Sequence, residues 1–129
     1  MMMALGLFVF ALPTLAYQDL KRRNAWKHAG TPRIGAADAY QYVGPGEETV
    51  ALSGAAYAEL CDGRASLDEL RQMAGSGQSW SLIDGGGYVW GSYIIQSIDE
   101  GQSDFFADGT PRKIDFGIEL LLVDQDPGA

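Results

Sequence analysis

The sequence is poor in the residues on which most small-protein chemistry depends. It has one cysteine, Cys61, which excludes an internal disulfide, and one histidine, His28. A structural zinc site needs about four Cys or His ligands, so these two residues argue against one. Only 9 Lys and Arg oppose 17 Asp and Glu, for a net charge of −8. Such an acidic chain does not bind nucleic acid through general phosphate attraction. The composition predicts neither a bound metal nor another cofactor.

The sequence also lacks an apolar run of the roughly 20 residues that a membrane-spanning helix takes. Its apolar opening, residues 1–16, could pass for a secretion signal, but no Lys or Arg precedes Lys21, and a signal needs a basic start. The other interpretation is a buried first strand over residues 5–12 that stops at Pro13. We expect this strand and no membrane contact, and the lone cysteine fits a cytosolic origin.

The composition is that of one globular domain. The chain has 129 residues, of which 47% are hydrophobic and 20% charged, and this suffices for one core without cross-links. Its 17 glycines favour many turns and hence many short strands. We predict a single domain over residues 1–129 with a flexible C-terminal tail at residues 124–129.

Hydrophobic alternation divides the chain into short strands separated by turns. Residues 112–123 show it best, because Ile114, Phe116, Ile118, Leu120 and Leu122 point one way. Residues 14–27 fit neither period and form either an amphipathic helix or a long exposed strand, of which we favour the strand. Residues 29–37 have the composition of a loop. Further strands are predicted at residues 39–43, 48–58, 78–83, 88–98 and 103–107, and turns at residues 44–47, 84–87 and 108–111.

One helix is predicted at residues 66–75. Ser66 and Glu69 have the spacing of a capping box, and Gly75 supplies the C-terminal stop. The apolar positions that share one helix face are Leu67, Leu70 and Met73. The sum is a mainly β domain of six or seven antiparallel strands with one helix packed alongside, closed or nearly closed as a small barrel or sandwich.

Catalytic motifs are missing from the sequence. There is no Gly-x-Ser-x-Gly motif, and the glycine clusters are not followed by the Gly-Lys-Ser/Thr of a phosphate-binding loop. Cys61 lies in a turn beside acidic groups, which disfavour the reactive thiolate. The acid pairs Glu47-Glu48 and Asp99-Glu100 fall in predicted turns, where they are expected to be solvated. We predict that the protein is not an enzyme; a hydrolase that uses these scattered carboxylates is the alternative.

Charge is spread unevenly along the chain. Residues 1–33 carry a net +4, residues 34–111 carry −10 and residues 112–129 carry −2. The basic cluster lies at residues 21–27 and includes Trp26. This pattern indicates either an ordinary solvated surface or a self-complementary one, in which a basic edge of one copy meets an acidic face of the next and a ring closes. The edges of the long strands at residues 88–98 and 112–123 can add strand pairing between copies.

Several sequence landmarks occur in order along the chain. They are MALGLFVF at residues 3–10, RIG at 33–35, AYQY at 39–42, GPGEET at 44–49, LSG at 52–54 and FFADGTPRKI at 105–114. With these landmarks the sequence resembles the GpU tail protein family of P2-type contractile-tailed phages and their prophage and tailocin relatives. The resemblance implies a structural virion protein needed for tail assembly, with a fold similar to phage tail tube proteins and no catalytic motif.

The resemblance also implies a location and partners. It implies a ring, by similarity to tube proteins a hexamer, in the inner baseplate between the tail tube and the central hub. The partners are then further copies of the chain, the tube protein, the hub and neighbouring baseplate proteins, in a virion assembled in the host cytoplasm, with DNA passing through the ring. A head-proximal terminator ring is the alternative within this class, and a secreted ligand-binding β-barrel is the alternative outside it. The candidate interface residues are Lys21, Arg22, Arg23, Trp26, Lys27, Arg112 and Lys113.

Overall fold

The computed structural model describes residues 2–11, 14–58 and 62–124. Over these residues the chain forms seven strands and one helix, and the predicted mainly β class with one helix is confirmed. The elements are β1 (Met3–Leu5), β2 (Phe8–Phe10), β3 (Tyr17–Arg33), β4 (Ala36–Tyr57), α1 (Gly63–Gly75), β5 (Trp80–Asp84), β6 (Val89–Phe105) and β7 (Pro111–Asp124). β7 includes Asp124, the first residue of the predicted tail; residues 125–129 lie outside the described residues.

All seven strands form one sheet in the order β2-β1-β5-β6-β7-β4-β3, with antiparallel pairing throughout. No ladder joins the two edges, β2 and β3, in the described chain, so the sheet is not closed. Of the two forms that the sequence predicts, closed or nearly closed, the closed one is therefore wrong. The edge strands differ in length, with 3 residues in β2 and 17 in β3. The edges approach each other at Tyr17, whose hydroxyl donates to the Met2 carbonyl oxygen at 3.3 Å and whose ring lies 6.1 Å from Phe10.

The core lies on the inner face of this sheet and beneath α1. Buried side chains come from α1 and from every strand except β3, whose Tyr17 and Leu20 pack against the core while half-buried. The alternation predicted for β7 is confirmed, since four of the five apolar residues predicted to share one face are buried and Leu122 is half-buried. The buried residues of β7 are Ile114, Phe116, Ile118 and Leu120.

The chain begins with a hairpin rather than with one strand over residues 5–12. β1 and β2 have three residues each and pair with each other, so the single-strand prediction is wrong. The turn is at Gly6, which has a φ of +60°, and Leu7 is 91% exposed there. An added Cβ on Gly6 would lie 2.6 Å from the Trp80 ring, so glycine is needed both for the backbone conformation and for the space. Pro13, the predicted stop, lies outside the described residues.

β3 and β4 run through segments predicted as a loop and a turn. The strand interpretation of residues 14–27 is confirmed from Tyr17 onward, but residues 29–37 form a loop only at a tight turn around Gly35, which has a φ of +70°. The predicted turn at residues 44–47 is wrong, because these residues belong to β4. The ladder tolerates Pro45 because bulges occur beside it, between Asn24 and Trp26 and after Lys27.

α1 begins three residues earlier than the capping box predicts. Its N-cap is Asp62, whose carboxylate accepts from the Ala65 backbone N–H at 3.1 Å, so Ser66 lies inside the helix. Gly75 is the last helical residue, and the positive φ of +72° falls at Gly77 instead. Leu67 and Leu70 are fully buried, as the predicted apolar face requires.

β6 is one strand of 17 residues where the sequence predicts two. The acid pair Asp99-Glu100, predicted to lie in a turn, is inside this strand, and Asp99 pairs with Gly117 of β7. The two other predicted turns are confirmed. The Asp84 carboxylate accepts from the Gly86 N–H at 2.9 Å, and the Asp108 carboxylate accepts from the Thr110 N–H at 3.0 Å.

Candidate interaction surfaces

The most exposed part of the fold is the outer half of the β3–β4 hairpin. β4 pairs with β7 only from Thr49, opposite Leu121, to Tyr57, opposite Lys113. Residues 25–47 therefore form a two-stranded ribbon beyond the end of that pairing, which we call the arm. None of the residues of the described hydrophobic core belongs to the arm. A two-stranded ribbon of this kind is marginally stable on its own in water.

One face of the arm is aromatic. Trp26 and His28 alternate along β3 and share a face, and the Tyr42 ring packs against His28 at 5.5 Å. Tyr40 lies over Gly30, where an added Cβ would be 3.0 Å from its ring. Trp26 is 60% exposed and Tyr40 70% exposed. Further exposed apolar side chains of the arm are Ile34, Tyr42 and Val43. Exposed apolar side chains gathered on one element make the arm a candidate interaction site.

The outer face of β3 is basic. Lys21 lies opposite Ala51, and Arg23 opposite Thr49, in the register that alternates with the buried side chains of Val50 and Leu52. Their side chains are therefore on the outer face of the sheet. We call Lys21, Arg23 and Lys27 the basic edge; all three are exposed. Arg23 and Lys27 line a shallow depression together with Glu47, whose carboxylate offsets part of their charge.

The outer face of β6 and β7 is acidic. Asp115 and Glu119 alternate with the buried residues of β7, and Asp99 of β6 lies opposite Gly117, with its carboxylate 3.8 Å from where a Cβ of that glycine would be. We call Asp99, Asp115 and Glu119 the acidic face; all three are exposed. Between the acidic face and the basic edge, β4 presents the small side chains of Ala51, Ser53 and Ala55.

Arg22, unlike its neighbours in sequence, turns inward to a buried carboxylate. Glu48 is 7% exposed and accepts three hydrogen bonds: from Arg22 Nη2 at 3.0 Å, from Asn24 Nδ2 at 3.0 Å and from the Tyr93 hydroxyl at 2.5 Å. The Arg22 guanidinium also lies 4.8 Å from the centre of the Trp90 ring. Burial, and then the hydrogen bond and charge of Glu48, raise the pKa of Tyr93 above its usual range. The expectation that Glu48 is a solvated turn residue is therefore wrong.

The seven residues predicted for an interface occupy four places. Lys21, Arg23 and Lys27 form the basic edge, Trp26 belongs to the aromatic face of the arm, and Arg22 is held by Glu48. Arg112 and Lys113 are at the other end of the sheet, near the β6–β7 turn. The Arg112 guanidinium lies 4.6 Å from the centre of the Phe106 ring, and Lys113 Nζ lies 3.7 Å from the Asp115 carboxylate. The aromatic face of the arm is not predicted from the sequence. Residues 29–37 have the composition of a loop, and this conceals the pairing that brings Tyr40 and Tyr42 of β4 beside β3.

Nothing in the parts of the chain that the structure describes supports metal binding. No group of three or more His, Cys, Asp or Glu side chains among these residues could hold a metal ion. An open depression of about 410 Å³ lies between α1 and the β6–β7 turn, and its carboxylate, Asp62, is engaged as the helix cap. Cys61 lies outside the described residues. No described helix combines the length and the apolar character needed to cross a membrane.

The sequence profile of the family described as Phage P2 GpU matches residues 6–125. The chain belongs to this family. It is also similar to a protein of Halomonas phage phiHAP-1 named probable tape measure protein, with 34% identity over 120 residues. That similarity covers 92% of this chain and 14% of the tape measure protein. This member of the Phage P2 GpU family is a structural protein of a phage tail, and thus a virion component, as the resemblance implied.

Proposed function

We propose that this GpU-family protein is a non-catalytic building block that assembles with copies of itself into a ring in the inner baseplate, between the tail tube and the central hub. The ring would be a hexamer, assembled in the host cytoplasm, with DNA passing through it. The observation that carries the proposal is the arm, which a monomer leaves without a covering surface. The arm makes no part of the described core, yet it presents Trp26, Tyr40 and Tyr42 to solvent.

The acidic composition suits a ring through which DNA passes. A net charge of −8 makes contact with a phosphate backbone unfavourable over most of the surface. The basic edge is the exception, and its burial against a neighbouring protein would remove it from the path of the DNA. A ring that exposed Lys21, Arg23 and Lys27 in its lumen would contradict this assignment.

We also propose that a tape measure protein is one of the neighbours. In the Halomonas phage relative, the sequence similar to this chain is a small part of one long polypeptide with that name. Two parts of one polypeptide are kept at high effective concentration, which suits parts that work together. In the relative, the part similar to this chain is covalently joined to the rest of the tape measure protein. The chain described here would instead bind a separate tape measure protein by non-covalent contacts.

Deletion of the gene, complemented by a copy with an epitope tag after residue 129, tests the function and the location. We expect the deletion to yield no complete tails, and the tagged copy to restore them. Antibody–gold labelling in electron micrographs should then mark the baseplate end. Label at the head-proximal end would contradict the baseplate proposal and favour the terminator ring, and complete particles without the protein would contradict a structural role.

A further inference from the structure

We propose that the basic edge of one copy docks on the acidic face of a second copy of this chain. This inference rests on the proposed self-assembly and assigns its surfaces. The basic edge is Lys21, Arg23 and Lys27 on β3, and the acidic face is Asp99, Asp115 and Glu119 on β6 and β7. The occupant is a second copy because each copy carries both halves of the contact.

Neither surface is fully neutralised inside one copy, although Glu47 offsets part of the charge of Arg23 and Lys27. Within the described residues no ion pair joins the basic edge to a carboxylate, and Asp99 and Glu119 likewise have no ion-pair partner there. Asp115 is approached by Lys113 Nζ at 3.7 Å, near the end of the face. β4 separates β3 from β7, and strands lie about 4.8 Å apart, so the two surfaces are roughly 10 Å or more from each other. At that distance their attraction within one copy is largely screened at physiological salt.

The surface between the two charged sets favours close approach of another molecule. Ala51 and Ser53 of β4 and Gly117 of β7 leave the outer face of the sheet nearly free of large side chains between the charges. A second copy can therefore come close enough for its Lys and Arg side chains to reach the carboxylates. The arm that carries Lys27 projects beyond the sheet, which lets it extend over a neighbour rather than fold back on its own strands.

The contact joins two different surfaces, and such a contact repeats from copy to copy and closes a ring when the rotation permits. The same two surfaces could also meet twice in a two-fold dimer. A dimer would support the docking inferred here but contradict the proposed ring, so the two ideas can fail separately.

Charge exchange between copies tests the inference. One variant carries Arg23→Glu and Lys27→Glu, and the other carries Asp115→Lys and Glu119→Lys. All four side chains are exposed, so both variants should fold; circular dichroism checks this. Arg22 is left unchanged because it holds the buried Glu48. We expect each variant alone to associate at least about tenfold more weakly than the wild type in sedimentation, since like charges now face each other.

An equimolar mixture of the two variants should recover wild-type association, because each reversed edge then meets a reversed face on the other variant. The matched controls make the same change of net charge on and beside α1: Arg64→Glu with Gln72→Glu and Gln78→Glu, and Asp68→Lys with Glu69→Lys. Neither control should change the association. Variants that associate as the wild type does would overturn the inference, as would a mixture of folded variants that fails to recover.

Complementation of the gene deletion provides the same test inside the particle. Each variant alone should fail to produce complete tails, while co-expression of both should restore them. If the purified wild type stays monomeric, this readout decides: restored tails support the docking, and tails that form with either variant alone overturn it. If tails form without the protein altogether, the proposed function fails, and the docking is then judged by sedimentation, where a monomeric wild type would overturn it too.

Discussion

At the scale of single residues, Glu48 is the most demanding position in the fold. A buried carboxylate without partners is costly, because it loses its hydration and gains nothing in return. Here three donors on two other strands, Arg22 and Asn24 of β3 and Tyr93 of β6, surround the group. Their hydrogen bonds connect β3, β4 and β6 where the arm leaves the sheet. Glu48 therefore fixes how the base of the arm is attached to the rest of the domain.

Replacement of Tyr93 by Phe should lower stability and change its dependence on alkaline pH. The lost hydrogen bond to a charged group should cost about 2 kcal/mol at neutral pH. Burial and Glu48 raise the pKa of Tyr93 in the folded chain, while the unfolded value is about 10. Its contribution to stability is thus fully present below pH ~10 and is lost as the pH rises through the folded pKa.

Denaturant unfolding of wild type and Tyr93→Phe between neutral and strongly alkaline pH would measure this difference. The variant should lose stability less steeply above pH ~10 than the wild type. Part of the decline should persist, since burial, and then the charge of Asp84, also raise the pKa of Tyr17. Tyr40→Phe on the arm is the control and should follow the wild-type curve. Parallel curves for Tyr93→Phe and wild type would refute the role given to Tyr93.

At the scale of elements, a strand is predicted most reliably from the sequence when one of its faces is buried and the other is exposed, because its apolar and polar residues then alternate. β7 has a buried inner face and an exposed outer face, and its alternation correctly places Ile114, Phe116, Ile118 and Leu120 in the core. The sequence predicts two strands in place of β6 because Asp99 and Glu100 are typical turn residues. They stay in the strand because Asp99 faces outward over Gly117 and Glu100 is paired with Arg71 of α1 at 2.9 Å.

The arm and the Glu48 cluster could not be predicted from local sequence. Gly44, Pro45 and Gly46 favour a turn locally, but pairing with β3 and the adjacent bulges keep them in β4. The donors of Glu48 come from distant parts of the chain, and Tyr93 is 45 residues away. No periodicity within a short window carries that information. The strand order, which places the basic edge and the acidic face on one surface, likewise depends on pairing between strands that are distant in the sequence.

Shortening the arm should separate the folding of the domain from its assembly. We suggest joining Lys27 to Gly44 through Asn-Gly, which favours a tight hairpin turn, with residues 28–43 removed. The removed segment contributes nothing to the described core. Thermal unfolding should therefore stay cooperative, and the loss of stability should be below about 1 kcal/mol.

The same shortened chain should fail to enter tails, because Tyr40 and Tyr42 are gone from the aromatic face. Incorporation is measured by the amount of protein in purified particles after complementation of the deletion. A full-length chain with Gln41→Ala, an exposed arm residue outside that face, is the control and should be incorporated normally. A shortened chain that no longer unfolds cooperatively, or one incorporated at the wild-type level, would show that the arm has another role.

At the scale of the whole molecule, folding converts an uneven charge along the sequence into a pattern on one surface. The basic residues near the start lie on β3, at one edge of the sheet. The acidic residues of β7 lie two strands away from β3, and those of β6 lie three strands away. The domain is thus bipolar although its net charge is −8. A bipolar outer surface and a projecting aromatic arm give one small domain two different means of holding a neighbour, and the two means respond differently to salt.

That difference can be measured on the wild-type protein by sedimentation in a series of salts. Sodium chloride shortens the screening length from about 10 Å at 0.1 M to about 3 Å at 1 M, so a contact between the basic edge and the acidic face should weaken. Sodium sulfate screens as well but also strengthens apolar association. We therefore expect association to be weaker in 1 M chloride than in sulfate of equal ionic strength. Indifference to both salts would contradict an electrostatic contact, and strengthening in both would assign the association to the arm alone.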